Sequence, residues 1–114
     1  MPKRGDRVAP PPGEGEWDLR FGDAEAVNGW DQLSRHAPGP TLAGWTILRR
    51  DPRRRGGRQH PLKGELGTRL IGGRLLEQWQ LEITGAGRIW YAIDDERRVV
   101  VLTLATVGHP ARTD

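Results

Sequence analysis

The alternation of side chains around the turn Gly85-Ala86-Gly87 constrains the fold of this chain more than any other feature. Apolar residues occupy every second position from Trp79 to Ile83 before the turn and from Ile89 to Ile93 after it. Because neighbouring side chains point to opposite faces of a strand, a slip of one residue would destroy any match between the two segments. The sequence therefore predicts an antiparallel hairpin with one apolar face. A three-residue turn gives the predicted pairs Thr84–Arg88, Ile83–Ile89, Leu81–Tyr91 and Trp79–Ile93.

Further turn signals extend this hairpin into an antiparallel meander over residues 67 to 107. Gly72-Gly73 suits a two-residue hairpin turn before it. Residues 95 to 98 provide a polar turn after it, and the strand that follows carries Val100, Leu102 and Leu104 on the buried face.

The first part of the chain predicts a strand and two helices. Residues 17 to 22 alternate apolar and polar side chains, as a half-buried strand does. In residues 23 to 51, Asp23 suits an N-cap, Pro38-Gly39-Pro40 stops one helix, and a second helix runs from Thr41 to Arg50. The predicted class is α+β, with this helical hairpin covering one face of the meander. Four tryptophans on apolar stripes are assigned to the core: Trp17, Trp30, Trp45 and Trp79.

Length and composition limit the organisation of the protein. With 114 residues, the chain is one domain at most. Residues 1 to 16 hold a proline triplet and almost nothing to bury, so we expect a disordered Pro-rich tail before a domain over residues 17 to 114. No apolar run is as long as a membrane span, and the first residues lack the apolar core of a signal peptide. We therefore expect a soluble cytoplasmic protein with no membrane partner.

The residue types present argue against a metal site. The chain has no cysteine, which excludes disulfides and thiolate metal ligands. Asp94 and Asp95 fall in a turn, where aspartate side chains ordinarily stabilise the turn by hydrogen bonds to its backbone. Neither a metal nor a cofactor is expected.

The positive charge of the chain is concentrated in residues 49 to 63. This segment contains seven cations and one carboxylate, a net charge of +6, whereas the whole chain carries +3. Such a concentration is the electrostatic footprint of a nucleic-acid-binding surface, or else a solvated Arg-rich linker. The predicted sheet adds polar side chains on the face that the core does not need, which is either a solvated or a binding face: Glu82, Thr84, Arg88, Trp90, Thr103, Arg69 and Arg74.

Three motifs in this order resemble the RelE/ParE superfamily of bacterial type II toxins. They are Leu62-Lys63-Gly64, the strand Gly87-Arg88-Ile89-Trp90-Tyr91, and the Asp94-Asp95 turn, and the likeness covers residues 17 to 113. The resemblance implies a small toxin in which two helices pack on one face of a curved antiparallel sheet. In ribosome-dependent members the other, concave face binds RNA. Those members cleave mRNA without a metal and use the substrate 2′-hydroxyl as nucleophile.

The resemblance also implies roles for individual residues. The catalytic set is His109 as acid or base, with Arg88 and Lys63 on the phosphate. The RNA-binding set is Arg53, Arg54, Arg55, Arg58, His60, Arg69, Arg74, Trp90 and Arg112. The implied partners are the ribosome with its mRNA and a cognate antitoxin that is small, acidic and partly disordered.

Two departures from the family pattern keep alternatives open. Thr84 stands where nuclease members usually carry another arginine, and the C-terminal tyrosine of the family has no counterpart. The chain is therefore either a ribosome-dependent endoribonuclease or a non-catalytic relative. The second class includes a ParE-like gyrase inhibitor and a nucleic-acid-binding or partner-binding protein. A third hypothesis is that the chain is a structural domain within a larger complex.

Overall fold

A computed structural model describes residues 2–108, which form one six-stranded sheet and two α-helices. The sheet order is β1-β6-β5-β4-β2, β3 pairs with β4, and every pairing is antiparallel except that of β1 with β6. The predicted α+β class is confirmed. The elements are β1 (Asp18–Phe21), α1 (Ala24–His36), α2 (Pro38–Arg50), β2 (Gln59–Pro61), a short 3-10 helix (Gly64–Gly67), β3 (Thr68–Ile71), β4 (Arg74–Glu82), β5 (Arg88–Asp94) and β6 (Val99–Thr106).

The helix boundaries follow from local chemistry. Asp23 caps α1 by accepting a hydrogen bond from the backbone N–H of Ala26. The prolines that we expected to separate the helices instead lie in the first turn of α2, which begins at Pro38 and not at Thr41. Proline is favourable there because the first helical N–H groups have no partner within the helix. Within residues 2–108, neither helix is long and apolar enough to cross a membrane.

The helices cover one face of the sheet and form the core with it. Trp17 and Trp79 are buried in this core, while Trp30 and Trp45 pack against it and stay partly exposed. Gly29 permits the close approach of α1 to β6, because a Cβ at that position would lie 1.8 Å from the carbonyl oxygen of Ala105. Burial of the apolar face is the main source of stability in a domain of this size.

The register of the β4–β5 hairpin differs from the predicted one by two residues. Arg88 pairs with Glu82 and not with Thr84, and Ile89 pairs with Leu81. The turn is longer than expected; within it, the side chain of Thr84 accepts a hydrogen bond from the backbone N–H of Gly87, and the backbone N–H of Ile83 donates to the Gly87 carbonyl. A shift of two preserves the faces of both strands, so the division into apolar and polar faces still holds.

A bulge in β6 changes the end of the buried face. Trp90 pairs with Leu104 and Tyr91 pairs with Leu102, so Thr103 is the extra residue. An extra residue reverses the alternation beyond it. Ala105 therefore enters the core, and Leu104, which we expected there, lies on the other face and is partly exposed.

The N-terminal segment differs from the disordered tail that its composition predicts. Val8 is buried, and its backbone N–H donates to the carbonyl of Leu19 in β1. Arg49, at the end of α2, holds the segment through hydrogen bonds to the Pro11 carbonyl at 2.9 Å and the Glu16 carboxylate at 2.6 Å. Residues 2 to 16 are thus placed by contacts with distant parts of the chain.

Candidate nucleic-acid interface

A buried hydrogen-bond network fixes the loop that carries most of the positive charge. We call residues 53–58 the basic loop. Just before it, the Pro52 carbonyl accepts a hydrogen bond of 2.7 Å from the Tyr91 hydroxyl. Gln59, just after it, donates to the same hydroxyl and to the carbonyls of Asp51 and Pro52. Burial raises the pKa of Tyr91, so this side chain serves as a neutral anchor.

Arg53 is committed to carboxylates of the sheet. Its guanidinium makes two hydrogen bonds of 2.7 Å to Asp95 and another of 3.1 Å to Glu77. The hydrogen bond with Asp95 raises the pKa of Arg53, and the same bond lowers the pKa of the Asp95 carboxyl. Bidentate pairing of this kind holds both terminal nitrogens of the guanidinium against carboxylate oxygens. Arg53 is therefore held in an ion-pair cluster and does not present the free cation that we expected at RNA.

The other three arginines of the basic loop are exposed. Within residues 2–108, none of them forms an ion pair with a carboxylate. Arg55 lies 5.7 Å from the centre of the Trp79 ring. Arg54 and Arg58 border a cavity of about 600 Å³ between α2 and the end of β4. The basic loop thus presents positive charge beside the end of β4.

The face opposite the helices, which we call the helix-free face, carries a row of polar contacts. His60 of β2 pairs with Gln80 of β4, which pairs with Trp90 of β5. The Trp90 indole N–H donates to the Gln80 side-chain oxygen at 2.8 Å, and Trp90 is only 2% exposed. A buried indole offers no face to a base, so the predicted stacking role of Trp90 is not what the structure shows. The row was missed in the sequence because it depends on a strand, β2, that the sequence did not predict.

Arg88 lies on the helix-free face as predicted, but its guanidinium is bound within the turn. It donates to the carbonyls of Thr84 and Gly87, both at 3.0 Å, and lies 3.8 Å from the Glu82 carboxylate. The residue is 9% exposed. Arg88 therefore holds the β4–β5 turn in this structure, and a phosphate would have to compete with those carbonyls.

The arginines of the β3–β4 hairpin are paired as well. Arg74 binds Asp94 through two hydrogen bonds of 2.7 and 2.9 Å and also contacts Glu96. Burial opposes ionisation of Asp94, but the hydrogen bonds from Arg74 and from the backbone outweigh it and lower the pKa of this carboxyl. Arg69 lies 3.7 Å from the Asp23 carboxylate. Both arginines therefore serve ion pairs.

The remaining predicted residues lie near β2 or outside the described part. Lys63 is exposed and stands at the position just before the 3-10 helix, while the neighbouring Leu62 is buried and donates its N–H to the Gln78 carbonyl. His109 and Arg112 lie outside residues 2–108. Within that range, no group of three or more histidines and carboxylates is arranged to hold a metal ion.

Comparison with known proteins reveals a structural similarity but no sequence match. No protein-family model matches the sequence, and no curated protein matches it. The structure is similar to a chain in the crystal structure of the toxin-antitoxin complex RelBE2 from Mycobacterium tuberculosis. That similarity has a TM-score of 0.53 and 26% sequence identity, and it covers 83% of this chain and 99% of that one. The likeness supports the RelE-like fold that the sequence motifs indicate.

Proposed function

We propose that this protein is the toxin component of a type II toxin-antitoxin system. The observation that carries the proposal is the likeness to a chain of the RelBE2 complex over 83% of the sequence. The sequence motifs Leu62-Lys63-Gly64 and Gly87–Tyr91 point to the same family. The expected partner is a small acidic antitoxin, and the expected location is the cytoplasm.

We propose further that the toxin is a metal-independent endoribonuclease that acts on mRNA in the ribosome. Three exposed cations of the basic loop that have no carboxylate partner within residues 2–108, Arg54, Arg55 and Arg58, supply the phosphate contacts beside the end of β4. Lys63 and His60 follow them on the chain. Cleavage by the substrate 2′-hydroxyl requires a proton acceptor, cations near the phosphate and a proton for the leaving oxygen.

Inducible expression in a bacterium tests both levels of the proposal. Wild type should arrest growth, and sequencing of RNA ends should show new ends within translated messages. Lys63→Ala should reduce those ends, whereas Arg35→Ala, which removes an exposed cation from α1, should leave them unchanged. Growth arrest without new RNA ends would refute the nuclease while leaving the toxin proposal standing. Normal growth with abundant folded protein would refute both.

A specific observation favours a second candidate, the non-catalytic relative. Arg53, Arg74 and Arg88 already bind protein carboxylates or carbonyls, which leaves fewer free phosphate ligands than the family pattern implies. A gyrase inhibitor or a partner-binding relative would need no catalytic set. Inhibition of DNA supercoiling by purified gyrase, with no new RNA ends in cells, would select the gyrase inhibitor.

A further inference from the structure

The cavity between α2 and the end of β4 has an apolar floor. Its volume of about 600 Å³ lies within the usual range of ligand pockets. Gly44 of α2 lies directly on β4, because a Cβ at that position would stand 2.4 Å from Ile83 Cδ1. The floor is therefore a packed contact between a helix and the sheet. Its apolar residues are Pro40, Ala43, Gly44, Ile47, Leu81 and Ile83.

The basic loop forms the facing wall of the cavity and is held by backbone hydrogen bonds. The Arg58 carbonyl accepts one of 2.7 Å from the Glu82 N–H, and Gly56 and Gln59 exchange two of 2.9 and 3.3 Å. Arg54 and Arg58 both line this wall and are exposed. A ligand would therefore meet two arginines on a backbone that is already ordered, which lowers the entropic cost of binding.

The cavity carries a net positive charge. Among the described residues that line it, Glu82 is the one carboxylate, and it lies 3.8 Å from the Arg88 guanidinium, which offsets its charge. Arg54 and Arg58 have no carboxylate partner in the described part of the chain. Two uncompensated cations beside an apolar floor favour an anionic ligand with an apolar part.

The lining favours a peptide over a nucleic acid as that ligand. Single-stranded nucleic acids bind by stacking their bases on aromatic side chains, and no aromatic residue within 2–108 lines the cavity. The aliphatic floor instead matches an aliphatic side chain. Guanidinium groups match carboxylates, which they can bind through two parallel hydrogen bonds. The chemistry that fits is an acidic peptide segment with an aliphatic side chain.

We propose that this cavity docks an acidic segment of a partner protein. One aliphatic side chain of the segment lies on the floor, and its carboxylates bind Arg54 and Arg58. The inference rests on the geometry and charge of the cavity and does not depend on the proposed nuclease activity. The same two arginines are proposed above to contact phosphate, so an occupied cavity would withhold them from RNA.

Titration of the full chain with a short acidic peptide, followed by nitrogen-15 NMR of the backbone amides, tests the inference. The probe is acetyl-Glu-Glu-Leu-Glu-Glu-amide, and the shifted amides should be concentrated in residues 43–47 of α2 and 54–58 of the basic loop. Serine in place of leucine should lower the affinity about 10-fold or more, because the aliphatic contact is lost. Lysine in place of every glutamate should abolish binding.

Variants of the cavity separate its floor from its charge. Ala43 is exposed and lines the cavity, so Ala43→Phe fills the space without changing the buried core and should lower the affinity about 10-fold or more. Arg54→Ser and Arg58→Ser should each lower it about 2- to 5-fold, as expected for exposed ion pairs. Arg35→Ser, on α1, is the matched control and should bind as wild type does. The amide spectrum of each variant shows that it is folded.

Several results would overturn the inference. It fails if the acidic peptide shifts no amide of the cavity, if the lysine peptide binds as tightly, or if Ala43→Phe binds as wild type does. It also fails if pentauridylate shifts the amides of the cavity and the acidic peptide does not, because the cavity is then an RNA site. None of these results bears on RNA ends in cells, so the nuclease proposal stands or falls separately.

Discussion

The salt dependence of RNA binding distinguishes the exposed arginines of the basic loop from the paired one. Replacing Arg54, Arg55 and Arg58 together with serine removes three cations that have no carboxylate partner within residues 2–108. Each phosphate contact contributes about 0.7 to the slope of log affinity against log salt for a single strand. The triple variant should therefore flatten that slope by about 2. When the salt concentration rises from about 50 to 200 mM, the affinity of wild type for RNA should therefore fall about 15-fold more than the affinity of the triple variant.

Two single variants serve as matched controls for this measurement. Arg53→Ser removes a guanidinium already bound by Asp95 and Glu77, so the slope should not change. Arg35→Ser removes an exposed cation on α1 and should also leave it unchanged. Fluorescence anisotropy of a labelled, unstructured RNA over a salt series gives the slopes. An unchanged slope in the triple variant would show that the basic loop is solvated and does not bind phosphate. A flatter slope in Arg53→Ser would refute the ion-pair assignment.

Three further predictions concern stability. Gly29→Ala should destabilise the fold by about 1 to 3 kcal/mol in urea unfolding, because its Cβ meets the Ala105 backbone. The control Gly39→Ala has nothing within 4 Å of its Cβ and should leave the stability unchanged. Equal effects of the two substitutions would refute the close packing of α1 on β6. Tyr91→Phe should cost about 0.5 to 1.5 kcal/mol by removing the buried hydroxyl that donates to the Pro52 carbonyl and accepts from Gln59, and an unchanged midpoint would contradict the proposed anchor. The pKa of Asp94 is lowered in the folded state, so its contribution is present above the unfolded pKa of about 4 and is lost as the pH falls through the folded value. Asp94→Asn should lower stability at pH 7 and flatten this acid dependence, and a variant as pH-dependent as wild type would count against the assignment.

Local pattern was enough to predict both helices, every strand except β2, and the faces of β4 and β5. Period-2 alternation identified β4 and β5, and it kept Arg88 on the correct face although the register was shifted by two. The longer turn is held by hydrogen bonds within it, from the Gly87 N–H to Thr84 Oγ1, from the Ile83 N–H to the Gly87 carbonyl, and from the Arg88 guanidinium to turn carbonyls. Turn length selects register. Alternation alone does not contain that information.

Contacts between distant residues explain what the sequence did not reveal. Arg53 pairs with Asp95, which lies 42 positions away, so a charge run that looks free in the sequence is partly neutralised. Arg49 binds Glu16 and thereby orders a segment whose composition favours disorder. Gln80 is a plain polar residue in the sequence, and only the pairing of β2 with β4 brings it to His60. The sequence pattern predicts which face of a strand a side chain occupies, whereas contacts between distant residues depend on how the strands and helices are arranged in space.

The most direct test of the central claim is cleavage of a defined mRNA by the purified protein on programmed ribosomes. Primer extension should reveal new 5′ ends within the codon in the ribosomal A site. The same mRNA without ribosomes should remain intact, and addition of the cognate antitoxin should abolish the new ends. Intact mRNA on programmed ribosomes, with a protein shown by circular dichroism to be folded, would contradict the account.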